Sequence, residues 1–551
     1  MKKRILALVI ALLLLAGVSV VGTSAAARYS IWVGGVQVTS DNASDVLGDG
    51  TVKYVAKENC LYLNNTRFCG EELVEGVMSA GVYAGGMDLT IRFSGNNMIS
   101  EWGANEWSIG VGVEEGNLTL IGEDSSASLA IYSSYTEGYS MGVYTTYNYD
   151  DITQGGDVCV DGGNVTVGYI GGETLVDATS VGIYCCDMIV KSGNVVSEGG
   201  VSSTGDSIGV KAYGDIFVES GSLTAKGKEG ATSVGISVES VEFIDDVTGD
   251  YVSPGGGYLN VKKGATVTAE ASNGQVHSFG ISLARGINSE GTVTAISADT
   301  TYPAGPEAVT TSYGIVGWGL SNMNFTGGKV VAKAGYAYDS CGINAIWDKT
   351  LDYVVAGDVT ISGGADVTSI SEGGYLYSDG MYVGGNFKLD SGSLFASGGS
   401  VTAESEYYPE SGAIFAEGDI NIIGGVLKAS ATEVTQKEGS DITIYSFGDI
   451  IISDNLEVND GKLVNGDEVS YIMQDSFDKP IVVREKGYAE LGDVNFDEDI
   501  NIKDATAIQK HLASLVIFDE EALALADFNE DGGVSIKDAT AIQKFIAGLE
   551  Y

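Results

Sequence analysis

The sequence predicts a mainly β protein: a parallel, right-handed β-helix solenoid followed by a small α-helical domain. A unit of the form Ser-x-Gly-Ile/Val recurs every 26 to 45 residues between residues 76 and 440, and such periods are typical of solenoids. Each unit contains short runs rich in Val, Ile and Thr, separated by glycine turns, which favours strands. A 12-residue pattern of oxygen-bearing side chains occurs twice near the C-terminus, opened by Asp493 in the first copy and by Asp527 in the second.

Residues 1–27 have the pattern of a secretory signal peptide. The basic start at Lys2–Arg4 leads into an apolar run from Ile5 to Val21, which ends in small residues up to Ala27. A membrane anchor is the alternative, because the run is near the lower length limit for spanning a bilayer. The alanine triplet favours cleavage, so we expect a secreted, extracellular protein with no membrane segment after cleavage.

Composition limits the classes of partner. The 551 residues carry a formal charge of −46, which disfavours nucleic acid and anionic membranes. Hydrophobic residues make up 44% of the chain, enough to form a core rather than a disordered chain. We therefore expect neutral glycans and divalent cations to be more compatible ligands.

Export would permit disulfides among the six cysteines, because secreted proteins meet oxidising conditions. A Cys60–Cys69 bridge would close a short segment, and Cys159 and Cys185 lie about one repeat apart, so they could stack. Unpaired thiols remain the alternative for all six residues, which are Cys60, Cys69, Cys159, Cys185, Cys186 and Cys341.

Residues 28–75 are expected to cap the solenoid, residues 76–440 to form it, and residues 441–486 to close its far end. The shortest units are too short for a four-stranded propeller blade but long enough for one coil of three short strands. This predicts roughly eleven to thirteen coils, with the longer spacings as loops at coil corners. The marker glycines are Gly81, Gly110, Gly142, Gly182, Gly209, Gly235, Gly280, Gly314, Gly342 and Gly380.

These repeats resemble secreted β-helix proteins of anaerobic bacteria described as carbohydrate-binding. The resemblance covers about residues 28 to 440 and rests on the glycine-marked units above. It implies a carbohydrate partner for the solenoid; together with the C-terminal module described below, it leads us to expect that this partner is a plant cell-wall polysaccharide and that the protein takes part in polysaccharide breakdown. A structural or interaction protein with no glycan ligand remains a further alternative.

Aromatic residues support a glycan surface, since flat rings stack on pyranose faces. They gather in a few insertions and repeat units: Trp102, Trp107, Tyr132, Tyr135, Tyr139, Tyr144, Tyr147, Tyr149, Trp318, Trp347, Tyr375, Tyr377, Tyr407 and Tyr408. Corner packing is the alternative role for each of them.

No catalytic residue is predicted. Of the two histidines, His277 occupies a variable repeat position beside Ser278 and His511 lies in a C-terminal helix, so a Ser-His-Asp triad is not expected. The alternative is a polysaccharide lyase or glycoside hydrolase of the pectin type. Its candidates would be Arg92, Arg285, Lys329 and Lys333 as bases, and the pairs Asp150–Asp151 and Asp245–Asp246 as acids.

The duplicated C-terminal pattern predicts two calcium-binding loops, because oxygen donors fall at loop positions 1, 3, 5, 9 and 12, with the backbone of position 7 completing the set. Position 12 is Asp rather than Glu, and Glu498 replaces Gly at position 6 of the first loop. The predicted ligands are Asp493, Asn495, Asp497, Asp499, Asn501 and Asp504, then Asp527, Asn529, Asp531, Gly533, Ser535 and Asp538.

A duplicated loop and helix with Asp at position 12, each followed by Ala-Thr-Ala-Ile-Gln-Lys, resembles the dockerin module of cellulosomes, here over residues 487–551. The resemblance implies two bound Ca²⁺ ions and docking to a cohesin domain of a scaffold protein, so that the host protein joins a cell-surface complex. Carried onto this chain, the expected cohesin contacts are Ile502, Lys503, Gln509 and Lys510, with their identical copies Ile536, Lys537, Gln543 and Lys544.

Overall fold

The computed structural model describes residues 26–102, 106–148, 151–171, 174–240, 243–244, 251–252, 256–300, 309–318, 321–345, 357–403, 410–432, 442–466, 469–474, 476, 479–486, 491–496 and 499–549. The predicted signal peptide therefore lies almost wholly outside the described residues. The chain divides into two compact units, one running to Asp454 with Val458–Val483, the other holding Asn455–Glu457 and Arg484–Tyr551. None of the described helices is long and apolar enough to cross a membrane.

The first unit is a solenoid of three parallel sheets, here called faces 1, 2 and 3. Among the described residues, twelve strands stack on face 1, within the predicted range of coils. Face 1 consists of Met78–Gly85, Trp107–Glu114, Tyr139–Thr145, Thr179–Cys185, Ser207–Ala212, Gly230–Val238, Gly274–Leu283, Thr311–Gly317, Ala337–Ala345, Gly373–Val383, Glu410–Ala416 and Ile442–Ser446.

Faces 2 and 3 share the long strands Val158–Tyr169 and Met188–Glu198, whose first halves lie on face 2 and second halves on face 3. The other strands of face 2 are Cys60–Asn64, Leu89–Ser94, Leu118–Gly122, Ile216–Val218, Tyr258–Val261, Gly286–Ser289, Asn322–Phe325, Val359–Ile361, Phe387–Leu389, Ile420–Ile422 and Ile450–Ile452. Those of face 3 are Arg67–Val74, Asn96–Glu101, Ser128–Ser133, Ser222–Gly227, Thr266–Ala271, Thr292–Ser297, Lys329–Ala334, Asp366–Ser371, Ser393–Ser397 and Val426–Ser430.

The repeated Ser-x-Gly motif lies on face 1 and explains its stacking. From Ser79 to Ser378, each serine is paired in register with the serine of the next coil, as Ser140 is with Ser180, and the serines are buried. The glycine that follows has no room for a side chain. A Cβ on Gly142 would overlap the side chain of Val167 on face 3 and the carbonyl of Gly182 in the next coil. The motif therefore recurs because each coil meets the same steric limit at this point.

Antiparallel strands cover the ends of the stack, where backbone groups of a parallel sheet would otherwise stay unpaired. Arg28–Val33 pairs with the first strand of face 1, and Val52–Val55 with the first strand of face 2. At the far end, Ser470–Gln474 pairs with the last strand of face 1 and Ile481–Glu485 with the last strand of face 3. The remaining strands are Val36–Thr39, Tyr147–Asn148, Asp151–Gly155, Phe243–Ile244, Tyr251–Val252, Ser400–Val401, Leu456–Asn459 and Gly461–Asn465.

The six cysteines are all free thiols, so the unpaired alternative holds in this structure. The predicted stacking of Cys159 on Cys185 is wrong. Cys159 lies on face 2 opposite Ile189, whereas Cys185 ends a strand of face 1. One full coil from Cys159 ends at Ile189, 30 residues later, rather than at Cys185 after 26 residues. Cys185 therefore lies on face 1, before the chain returns to face 2.

The described residues of the second unit form three helices: α1 (Ile502–Leu512), α2 (Glu520–Ala526) and α3 (Ile536–Ile546). Their shared core is rich in alanine and takes side chains from equivalent positions of the two copies, such as Ile508 and Ile542. Its members are Val494, Ala505, Ile508, Phe518, Ala522, Leu525, Ala526, Phe528, Ala539, Ala541 and Ile542.

Candidate functional site

The two predicted calcium loops share an unusual backbone feature. Phe496 and Glu530, both at loop position 4, adopt the left-handed region with φ of 59° and 53°. This region is sparsely populated by residues other than glycine. The same turn at equivalent positions shows that the duplicated sequence folds into duplicated loops.

The position-12 aspartates close each loop onto the helix that follows. Asp504 and Asp538 are fully buried. Asp504 accepts hydrogen bonds from the backbone N–H of Asn495 and Asn501 at 3.3 and 2.9 Å. Asp538 accepts the equivalent bonds from Asn529 and Ser535 at 3.1 and 2.8 Å. Each aspartate therefore ties position 3 to position 9 and caps its helix.

The remaining acids of the second loop contact neighbouring loop groups. Asp527 accepts backbone N–H bonds from Asp531 and Gly532, and Asp531 pairs with the Lys537 ammonium at 3.2 Å. Among the described residues, no three acidic, Cys or His side chains converge as a metal cluster. Asp497 lies outside the described residues. The donors themselves are all carboxylate, amide, hydroxyl or carbonyl oxygens, which are the ligands that calcium prefers, so the residues present fit this ion.

The predicted cohesin contacts all lie on the surface. Ile502 and Ile536 begin α1 and α3, and they are 56% and 58% exposed although they are apolar. The Lys and Gln residues of both sets are exposed as well. The duplicated sequence therefore presents two chemically equivalent surfaces.

The apolar pairs Ile508–Leu512 of α1 and Ile542–Ile546 of α3 are divided between the core and the surface. Ile508 and Ile542 are buried, but Leu512 and Ile546 are 41% and 46% exposed. The core instead uses Ala505 and Ala539, one helical turn before the buried isoleucines.

Leu512 and Ile546 are thus exposed apolar residues at equivalent positions, at the ends of α1 and α3. Leu515 and Leu549, which also occupy equivalent positions after the two helices, are 76% and 61% exposed. Sequence reasoning missed these residues, although the duplication could have identified them.

On the solenoid, one column of side chains along face 1 is rich in aromatic residues, of which Tyr83 and Tyr144 are buried. Strand register places one member per coil, and aromatic side chains occupy both ends of the column but not its middle. The column comprises Tyr83, Gly112, Tyr144, Tyr184, Lys211, Ser237, Ser282, Val316, Asn344, Tyr382, Phe415 and Tyr445. Its rings contact one another, as Tyr382 stacks on Phe415 at 4.9 Å and Tyr144 lies 5.4 Å from Tyr184.

The aromatic residues singled out from the sequence are only partly brought together. Trp107 stacks on Tyr139 at 4.7 Å and lies 5.8 Å from Tyr144, all on face 1. Tyr132 instead lies on face 3, so it does not belong to this group. Tyr338 stacks on Tyr375 at 5.7 Å. Trp102 and Trp318 are 78% and 45% exposed. Tyr149, Trp347, Tyr407 and Tyr408 lie outside the described residues, as does the side chain of Tyr147.

Two acids that sequence reasoning did not single out lie on adjacent coils of face 1. Asp379 is the middle residue of the Ser-x-Gly motif in its coil. The same position holds Cys341 in the preceding coil and Tyr313 in the coil before that. Burial, and then the carboxylates of Asp339 and Glu410, raise the pKa of Asp379 well above its ordinary value. Burial also raises the pKa of Asp339 to about 6, although a hydrogen bond from the Tyr313 hydroxyl at 2.9 Å acts in the opposite direction. The sequence did contain a sign of this site, because Asp379 is an acid at a repeat position that other coils fill with apolar residues.

This raised pKa predicts how solenoid stability depends on pH. The folded chain holds the Asp339 proton more tightly than the unfolded chain does, so ionisation costs stability as the pH rises from about 4 to about 6. Asp339→Asn is expected to stabilise the solenoid by roughly 1–3 kcal/mol at pH 7 and to have almost no effect at pH 4. Thermal unfolding of the full chain at both pH values measures this. Asp366→Asn on face 3 is the matched control, and an equal gain at both pH values for Asp339→Asn would contradict the prediction.

The other candidates for catalysis are dispersed. Arg92 lies on face 2 within 3.7 Å of Glu123, and Lys329 and Lys333 lie on face 3. His277 contacts Thr311 at 2.7 Å and pairs in register with Thr232, which confirms it as a variable repeat position. Arg285 precedes a strand of face 2. Asp150, Asp245 and Asp246 lie outside the described residues, as does the side chain of Asp151.

A comparison with protein-family models matches residues 491–547 to the dockerin type I domain. No curated protein and no solved structure is significantly similar to the chain. Dockerin type I domains generally bind calcium and dock to cohesin domains, and they occur in extracellular components of cellulosome-type complexes. The two equivalent loops and capped helices are those of this module, and residues 491–547 are the C-terminal dockerin type I domain of this chain.

Proposed function

We propose that the chain is a secreted component of a cellulosome-type complex whose β-helix binds plant cell-wall polysaccharide and so takes part in its breakdown. In this proposal residues 1–27 are a cleaved signal peptide, and residues 487–551 hold two Ca²⁺ ions and dock to a scaffold cohesin. The twelve predicted loop residues are the calcium ligands. The dockerin domain is the observation that carries the docking part.

Support for the glycan part comes from the outer surface of face 1. A parallel solenoid repeats its side chains at the strand spacing of about 4.8 Å, which builds long, flat surfaces suited to extended polymers. Several rings at the margins of the aromatic column stay open to solvent, including Tyr139 at 45% and Phe447 at 50%. Such exposed rings offer flat apolar faces on which pyranose rings stack.

Incubating the purified full chain with pectins, xylans and celluloses tests this function. Retention of one polymer without released products is the expected result. Neither retention nor products would contradict the proposal and favour a structural or interaction protein without a glycan ligand.

A polysaccharide-cleaving activity is the second candidate, and the Asp339–Asp379 arrangement favours it. Glycoside hydrolysis uses two carboxyl groups in different protonation states, and groups with strongly perturbed pKa values gather at functional sites. Released oligosaccharide that disappears in Asp379→Asn and in Asp339→Asn would establish this candidate. Products that persist in both variants would exclude these two residues as its acids.

A further inference from the structure

The aromatic column of face 1 is interrupted halfway along the solenoid. Between Tyr184 and Tyr382 the column carries Lys211, Ser237, Ser282, Val316 and Asn344. Ser237, Val316 and Asn344 are buried in this stretch, whereas Trp318, which directly follows the strand that carries Val316, is 45% exposed.

A groove of about 460 Å³ lies beside Trp318. It is lined by Ser237, Val238, Glu239, Ser240, Ser282, Ala284 and Trp318. This volume is within the range of small-molecule sites, and one flat ring with a few polar groups is a suitable lining for a sugar.

Trp318 is held in place although it is 45% exposed. Its indole N–H donates to the Ser282 hydroxyl at 2.9 Å, and its ring meets Phe279 in a T-shaped contact at 6.0 Å. Phe279 is supported in turn by Tyr313, stacked at 5.6 Å. A ring that is already fixed loses little side-chain freedom when a ligand covers it.

The charges around the groove select against acidic ligands. The Lys211 ammonium is 2.7 Å from Glu239 and 5.3 Å from the centre of the Tyr213 ring, so its charge is already compensated. None of the described residues lining the groove is Lys or Arg. A uronate would meet a Lys211–Glu239 pair that is already neutral and no Lys or Arg among the described lining residues, in a chain of formal charge −46.

From this geometry we infer that the Trp318 groove is a binding subsite for one sugar unit of a neutral polysaccharide, with the sugar face on the indole and its hydroxyls towards Ser237 and Glu239. This inference rests on the proposed glycan-binding function and narrows it from plant polysaccharides in general to uncharged ones.

Affinity electrophoresis of the full chain tests the groove, with xylan, mannan and mixed-linkage glucan as neutral probes and polygalacturonate as the acidic probe. We expect retention by at least one neutral polymer, a loss of at least roughly tenfold in affinity for Trp318→Ala, and recovery of most of it for Trp318→Phe. Phe395→Ala removes an exposed ring on face 3, at 36% exposure, and is the matched control.

Each outcome is decisive. If Trp318→Ala binds neutral glycans as the unchanged protein does, the groove is not a sugar subsite, but the proposed glycan-binding function stands. Trp318-dependent retention by polygalacturonate alone overturns the neutral ligand class. No retention by any polymer overturns both. Circular dichroism of each variant shows that the solenoid has folded.

Discussion

Chelation of calcium is expected to unfold residues 491–547 and to leave the solenoid folded. The apolar core of the dockerin domain is small, and five of its eleven members are alanines. The same module buries Asp504 and Asp538 completely, and buried carboxylates are costly without a compensating charge. A domain of this size depends on a bound metal for much of its folding free energy. Without the ion, repulsion within each acidic loop remains and the small core does not offset it.

Hydrogen exchange of the full chain, read by mass spectrometry, separates the two units. In excess chelator, α1 and α3 are expected to exchange at the rate of an unfolded chain, while the buried strands of face 1 keep their protection. Added calcium should restore the helices. Asp531→Ala should lower the calcium stoichiometry from two to one. Full protection of both helices in chelator would contradict a metal-dependent fold.

The solenoid could be predicted from the sequence because every coil meets the same steric and packing demands. Ser140 and Gly142 are repeated at Ser180 and Gly182 since each pair packs against the next coil. The duplication of the C-terminal loops was predictable for a similar reason: the oxygen-bearing residues recur at the same spacing within each short loop. In both cases the determining contacts are local or strictly periodic.

Contacts between coils with loops of different length could not be predicted in the same way. Asp339 and Asp379 are far apart in sequence, and only the strand register places them on adjacent coils. The same uncertainty in coil length misplaced Cys159 relative to Cys185. In the dockerin domain, helical periodicity identified Ile508 correctly, but Leu512 is on the surface because the core is built around Ala505 and its copy in α3.

Loss of either cohesin surface alone is expected to leave docking almost unchanged, whereas loss of both should abolish it. The first surface is Ile502, Lys503, Gln509 and Lys510, and the second is its copy, Ile536, Lys537, Gln543 and Lys544. Their apolar members match in exposure, at 56% for Ile502 and 58% for Ile536. One cohesin should therefore bind either surface, in two orientations related by about 180°, since the module is internally duplicated.

Two single-surface variants and their combination test this expectation by isothermal titration with a cohesin domain in saturating calcium. Ile502→Asp with Lys510→Ala, or Ile536→Asp with Lys544→Ala, removes one of two equivalent modes. The expected cost is about RT ln 2, roughly 0.4 kcal/mol. The variant that combines all four substitutions should show no measurable binding, because each surface has then lost an exposed apolar anchor and a cation.

Leu523→Asp on α2, outside both surfaces and 37% exposed, is the control for an added charge. Circular dichroism in calcium confirms that each variant keeps its helices. A loss of a hundredfold or more from one single-surface variant, with none from the other, would show that the cohesin uses one surface only. The duplication would then serve calcium binding and folding rather than a choice of docking orientation.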